Sequence, residues 1–564
     1  MSISGDIRVV VGIDFGTTYS GFSYTHISHP IIITNEEWPE KIGQLKTNTV
    51  LKYKDENFEE VDCWGYPALY KSPIELFKLH LGDIPESEKP YLPSKLSYKK
   101  AITDYLREIG NQYILTFKYQ TLIKKTVSTR WPGIEWHQVL FVMAVPAEFP
   151  ERSKKILREC AYDANLISNK KTYKLQFTTE PEAAAIYCID KIPETEIDNY
   201  IGRSFLVVDC GGGTVDLTIR KLLKKDELDE VTIRTGDYCG GTCIDQEFIK
   251  FLESKVGELA ISRLIENHYG KYQYLIQEFC RIVKLSFTGI EEEYKNYELD
   301  IEQDCPILKQ YITGSKKNRL EDDDWLIGLG FDDVKNMFDP VISKITKLIH
   351  NQLDHDKTCS TIFLVGGFSE SKYLQERIRK EFMVRVDNII IPHQPIAAVV
   401  RGAVRYGTNK KLIKNRVLKY TYGRSTLRPY NESIDTLDRK RDSGYVLVFK
   451  PLARKGTTVE VGQKFFQTSH PENSDQEKMW CRILITDNES ARYCDDDGVK
   501  ELGDFIIDLP DKQLGKDRKV YFELCFGEME IRAYAKNEYN GNEYSATFNY
   551  FDENIAKVAD EKFS

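Results

Sequence analysis

Short apolar runs ending at glycine turns or loops recur at residues 9–13, 139–145, 205–208 and 361–365. Each is rich in Val, Ile, Leu or Phe and no longer than seven residues, the pattern of strands buried in an α/β sheet. Helical patterns fall between them, at residues 150–165, 180–189, 245–259 and 395–406. The last repeats small residues at Ala397, Ala398, Gly402 and Ala403, which permits close helix packing. Strand and helix alternate to about residue 407, so the expected fold class of residues 1–407 is α/β. Residues 410–420 are basic and irregular and read as part of a linker spanning 408–425. Beyond them the period falls to two, at residues 445–449, 459–461, 483–485, 505–507 and 520–526. Met529, Ile531, Ala533 and Ala535 alternate with Glu528, Glu530, Arg532 and Tyr534, and Asn540-Gly541 predicts a type I′ hairpin. Residues 426–550 therefore read as a smaller all-β module, followed by a short tail at 551–564.

At 564 residues the chain exceeds what one hydrophobic core supports, consistent with that division. Its 41% hydrophobic and 29% charged content is globular rather than disordered. A net charge of −9 argues against general nucleic-acid or membrane-surface binding, since both partners favour a basic face. The run Glu321-Asp322-Asp323-Asp324 reads as solvated loop. Twelve cysteines are scattered singly, and the closest pair, Cys239 and Cys243, reads as reduced thiols. Unpaired thiols in this number suit a reducing compartment. The first residues lack a secretion-signal pattern, and no apolar run approaches the roughly 20 residues of a membrane span. Cytoplasm is the expected location.

Two loops carry the chemistry. Gly12-Ile13-Asp14-Phe15-Gly16-Thr17-Thr18-Tyr19-Ser20 follows the first strand. Gly16 allows a sharp turn that aims successive amides at an anion, Thr17 and Thr18 add hydroxyl donors, and Asp14 can hold a hydrated Mg²⁺. The second loop, in Asp209-Cys210-Gly211-Gly212-Gly213-Thr214-Val215-Asp216, sets three glycines between two aspartates after a buried strand. Each glycine costs roughly 1 kcal/mol in a regular element, so close approach to phosphate explains the triplet better than structure does. No lysine follows the glycines as in a Walker A loop, and no G-x-G-x-x-G opens a helix. Two hairpin-like phosphate loops, each with an acid, is the arrangement of a two-lobed actin-like ATPase.

These loops resemble the phosphate motifs of the seventy-kilodalton heat-shock family, and further segments follow in that family's order. Val145-Pro146-Ala147, Thr179-Glu180-Pro181-Glu182-Ala183-Ala184-Ala185, Gly240-Gly241-Thr242 with Asp245, and Leu364-Val365-Gly366-Gly367-Phe368-Ser369 each match a family segment. The match spans roughly residues 8–407 and implies an actin-like, ribonuclease H-like ATPase domain binding ATP or ADP with Mg²⁺. By the resemblance, Asp14 and Asp209 position Mg²⁺ through water. Thr17, Thr18, Gly211, Gly212, Gly213 and Thr214 cradle the β- and γ-phosphates, with Gly16 and Tyr19 in the same nucleotide-binding loops. Glu180 orients the attacking water. Lys78, in Phe77-Lys78-Leu79-His80-Leu81-Gly82, stabilises charge near the γ-phosphate; the alternative for Lys78 is a solvated helix lysine. The catalytic set is then Lys78, Glu180, Asp209 and Thr214, while Gly241, Lys284, Gly366, Gly367 and Phe368 complete the nucleotide site.

The departures concern the nucleoside. Glu370 stands where the family has an adenine-stacking arginine, Arg281 where it has a ribose-binding glutamate, and Ile396-Ala397 where it has aspartate and glutamate. Together with the altered C-terminal part they resemble the family's divergent twelve-type branch. The expected function is that of an ATP-binding, Mg²⁺-dependent, ATP-hydrolysing chaperone-like protein with protein clients or co-chaperones, and with no nucleic-acid or membrane partner. A non-hydrolysing nucleotide switch is the alternative. A small-molecule kinase on the same superfold is a further one, without a visible catalytic aspartate beside an acceptor pocket.

Overall fold

The computed structural model describes residues 6–69, 71–110, 122–527 and 530–548. The first apolar run forms β1 (Val9–Asp14), which turns back antiparallel into β2 (Tyr19–His26) and β3 (His29–Thr34). On its other side β1 pairs in parallel with β4 (Val139–Val145), and β4 with β5 (Leu175–Thr179). The strand order is β5-β4-β1-β2-β3, and the short strand Thr47–Asn48 joins β2 near its start. Every residue of β1 and β4 is buried, as the unbroken apolar runs predict.

A second sheet repeats this plan. Its central strand β6 (Ser204–Cys210) lies between β7 (Val215–Lys224) and β8 (Cys359–Val365), with β8 parallel to it and to the edge strand β9 (Asn388–Ile390). Asp14 and Asp209 thus occupy equivalent places, each in the C-terminal part of a central strand that leads into a tight loop.

Helix α1 (Glu180–Asp190) begins with Thr179 as N-cap, its hydroxyl accepting from the Glu182 amide at 3.3 Å, and with Pro181 in the first turn. Helix α2 (Ala398–Thr408) uses the small residues noted above. A Cβ on Gly402 would collide with the Ala183 carbonyl, and one on Gly12 would lie 2.6 Å from the Val400 carbonyl. Backbone-to-backbone approach therefore fixes α1 against α2 and α2 against β1.

The chain divides into two compact units. The first comprises Met1–Pro150, Ile156–Arg220 and Arg234–Lys410; the second comprises Glu151–Lys155, Lys221–Ile233 and Lys411–Ser564. In the second, Glu227–Glu230 pairs in parallel with Ile413–Val417, which pairs antiparallel with Thr458–Glu460. Two four-stranded antiparallel sheets follow. One orders Tyr445–Ala453, Thr421–Pro429, Lys478–Thr486 and Lys500–Asp508; the other orders Lys464–Ser469, Val520–Cys525, Ile531–Asn537 and Glu543–Phe548. Ile483, Leu502, Ile507, Val520, Phe522 and Leu524 form the centre of the unit's core.

Two local expectations change. The basic stretch at 410–420 is not irregular: Lys410–Leu412 is a 3₁₀ turn and Ile413–Val417 a strand, because Leu412, Ile413 and Val417 are buried between the lysines. The Asn540-Gly541 turn is not type I′, since Gly541 (φ 74°) is left-handed and Asn540 is not. The Asn537 side chain accepts from the Tyr539 amide at 3.0 Å and draws the turn into a longer loop, closed by the Asn537 amide on the Asn542 carbonyl. Glu528, Met529 and the tail at 551–564 lie outside the described residues.

Candidate functional site

The two loops meet. A Cβ on Gly213 would lie 2.6 Å from the Thr17 hydroxyl, and one on Gly212 would strike the Thr18 hydroxyl. The glycines are therefore required by the opposite loop. The Gly211 amide closes the second hairpin on the Thr214 carbonyl at 2.9 Å. The carbonyls of Gly211 and Gly212 accept from the amides of Gly241 (3.0 Å) and Thr242 (2.8 Å), so Gly240-Gly241-Thr242 buttresses the loop. By contrast, among the described residues the backbone amides of Thr17, Thr18, Gly212 and Gly213 donate to no protein acceptor. Four such amides on two facing loops form a cradle that fits an anion.

Acidic and basic side chains crowd beside that cradle. Leu76, left-handed at φ 58°, turns the chain into the 3₁₀ helix Phe77–Leu81, which buries Lys78. Its ammonium lies 2.7 Å from the Glu180 carboxylate and near the rings of Phe15 and Phe149. At 2% exposure Lys78 is not the solvated lysine of the alternative reading. Asp14 pairs at 2.5 Å with Lys46. Burial, with the charge of Asp14, pushes the Glu180 carboxyl above its usual range against the opposing pull of Lys78. Asp209 is driven well above its ordinary value by burial and by the charges of Glu180, Asp216 and Asp14. Asp216 rises to about 7, first through burial and then through Glu180, although Thr214 and the Ala147 amide (2.7 Å) hydrogen-bond to it. Lys46 and Asp216 are thus members of the cluster to which the sequence reading gave no role. Asp216 could have been found from its place on the strand after the glycines, whereas Lys46 carries no local signal.

A second group gathers around Gly241. The Lys284 ammonium donates to the Gly241 carbonyl at 2.7 Å and pairs with Asp245 at 2.6 Å, and a Cβ on Gly241 would lie 3.5 Å from the Phe368 side chain. Lys284 ends a π-helical turn, Cys280–Lys284, a local widening often found at functional sites. Tyr19, although 43% exposed, is tied to this group: partial desolvation raises its pKa, Lys284 draws it down and Asp245 pushes it up. Gly366 (φ 86°) turns the chain after β8 against the Asp209 carboxylate, which leads through Gly367 into the short 3₁₀ helix Phe368–Glu370. Glu370 is exposed at the end of that turn, its pKa raised by partial desolvation and drawn back by Lys46. Arg281 is not brought in: it is exposed and pairs with Glu278 at 2.5 Å.

Among the described residues no group of three or more His, Cys, Asp or Glu side chains is arranged to hold a metal directly. Two carboxylates at strand ends beside an anion cradle fit a divalent ion that keeps its water shell, as Mg²⁺ does. No described helix is long and apolar enough to cross a membrane.

The chain is 25% identical to heat shock 70 kDa protein 12A of Homo sapiens, over 93% of this chain and 89% of that protein. The 12A protein of Mus musculus matches to the same extent, and the Homo sapiens 12B protein is 23% identical with the same coverage. No protein-family model matches the chain. These relatives support a divergent member of the twelve-type heat shock 70 kDa branch, along nearly the whole chain.

Proposed function

We propose that this chain, as a relative of the twelve-type heat shock 70 kDa proteins, is a cytoplasmic, ATP-binding protein that hydrolyses ATP with Mg²⁺ and has a chaperone-like role. On this reading residues 1–407 form a two-lobed actin-like nucleotide-binding domain, and residues 426–550 an all-β module that conveys the nucleotide state to a protein client or co-chaperone. The observation that carries it is the pair of facing loops beside Asp14 and Asp209, whose Thr17, Thr18, Gly212 and Gly213 amides have no acceptor among the described residues. Backbone amides on a preorganised loop stabilise phosphate charge without reorganisation as charge develops. A bound Mg²⁺ would supply further charge neutralisation on the phosphates. Glu180, made more basic by burial, is suited to orient a water molecule, and Lys78 to meet charge on the departing phosphoryl group. Twelve cysteines scattered singly along the sequence accord with a reducing cytoplasm.

The test is calorimetric titration of ATP and ADP with and without Mg²⁺, followed by phosphate release. Saturable binding with slow turnover is expected. Absence of nucleotide binding under both conditions overturns the reading; binding without phosphate release would leave a nucleotide switch.

A further inference from the structure

Asp14 and Gly21 are cross-strand partners in the β1–β2 hairpin. A Cβ at Gly21 would lie 2.9 Å from Cγ of Lys46 and 3.0 Å from the Leu45 carbonyl. The Lys46 stem therefore crosses β2 at the one place left open by the missing side chain, and its ammonium reaches Asp14 at 2.5 Å. Its backbone is anchored at the residue and just after it. Thr47 and Asn48 pair with Ser20 and Tyr19, and the Tyr66 hydroxyl donates to the Lys46 carbonyl at 3.1 Å. Both partners are nearly enclosed, with 10% and 5% of their side-chain surface exposed.

Burying an ammonium is costly, and this one is not matched to a single acid. Its ammonium pairs with Asp14 and lies close enough to Asp209 and Glu180 for its charge to act on both. Glu370 also feels the same ammonium. Lys46 is thus a fixed positive charge among the acids that flank the phosphate cradle.

We propose that Lys46 is a tethered cation that competes with a divalent ion for Asp14 and, once nucleotide is bound, neutralises phosphate charge in its place. The proposal rests on the nucleotide-binding reading above. It follows that the ligand-free chain takes divalent ions weakly and that nucleotide binding outlasts removal of Mg²⁺. A purely structural lysine would hold Asp14 without altering either property.

Titration of ADP into the full chain in EDTA and in Mg²⁺, with Mn²⁺ binding to the ligand-free chain followed by electron paramagnetic resonance, tests this. In the wild type, withdrawing Mg²⁺ should weaken ADP binding by less than about tenfold. In Lys46→Met the loss should exceed about a hundredfold and Mn²⁺ should bind at least about tenfold more tightly, whereas Lys46→Arg should follow the wild type. A wild-type loss beyond about a hundredfold, or equal metal dependence in wild type and Lys46→Met, overturns the proposal. The wild-type measurement stands even where Lys46→Met does not fold. No ADP binding in either buffer would overturn the nucleotide reading itself, a distinguishable result.

Discussion

Replacing Lys78 by Met would remove one half of a buried ion pair and leave the other half in place. The Glu180 carboxylate would lose a partner 2.7 Å away while still facing Asp14 and Asp209. Breaking such a pair from one side costs about 3–5 kcal/mol, because the remaining charge stays desolvated. Protonation offers Glu180 a partial escape, and this fixes the pH dependence. Its pKa in the folded state is already raised, chiefly by burial and against the pull of Lys78, and without that pull it rises further. The folded variant then holds a proton that the unfolded chain releases, so stability falls as pH rises from the unfolded value through the folded one. Urea unfolding followed through the buried Trp38 and Trp64 should show a loss of about 3–5 kcal/mol at pH 8.5 that shrinks by pH 5. Glu180→Gln alone should cost less, since Lys78 keeps the faces of Phe15 and Phe149 at 5.9 and 5.6 Å. The double variant should recover much of the Lys78→Met loss. A cost below about 1 kcal/mol, an equal cost at both pH values, or simple additivity would refute the argument.

Glu180→Gln should bind ATP within about tenfold of wild type yet lose about a hundredfold or more in phosphate release; equal losses in affinity and rate would mean that binding has been mistaken for catalysis. Asp14→Asn and Asp209→Asn should both abolish Mg²⁺-dependent turnover, but only Asp14→Asn should lower the melting temperature, because it strands Lys46 whereas Asp209→Asn removes a crowded charge. Asp216 has a folded pKa of about 7 against an ordinary 3.8, so the folded state keeps a proton and stability falls as pH rises between those values. Asp216→Asn should flatten that slope in melting curves from pH 4 to 8, and an unchanged slope would remove Asp216 as its source. GTP should compete with ATP within about a hundredfold, because Glu370 offers no stacking surface to adenine; stronger discrimination in a competition titration would contradict this.

The strands of both central sheets and the two acidic loops were legible because their signals are local. Val9–Asp14 and Ser204–Cys210 are uninterrupted apolar runs closing on an aspartate, and Gly211-Gly212-Gly213 is too costly to be incidental. What the residues could not reveal is why each glycine is needed, since the answer is the Thr17 and Thr18 hydroxyls of a loop almost two hundred residues away. Lys46 escaped for the same reason: its partner Asp14 is distant in sequence, and the gap it fills is a single Gly21 in an ordinary strand. Lys284 was reached only through the family resemblance, because a lysine at the end of a helix is commonplace until Asp245 and the Gly241 carbonyl are beside it. At 410–420 the lysines drew attention away from Leu412, Ile413 and Val417, three apolar residues sufficient to make a strand. The Asn540-Gly541 signal predicted a turn correctly and its type wrongly, because the Asn537 side chain competes for the same amides.

The interleaved second unit bears on how the protein is made. Glu227–Glu230 belongs to it, yet its parallel partner Ile413–Val417 lies far downstream. At about 5–20 residues per second, a ribosome would need on the order of ten to forty seconds between exposing the first strand and the second. Through that interval one edge of Glu227–Glu230 has no partner from its own unit, and the Glu230 carboxylate waits for the Val417 amide that it later accepts from at 2.7 Å. The same interleaving means that a break after Lys410 is not a neat excision. It would strip that strand of its neighbour while leaving it attached to the remaining fragment, with an open edge prone to pair with other chains. A fragment beginning at Lys411 would in turn lack Lys221–Ile233, so neither unit is recovered intact by a single cut.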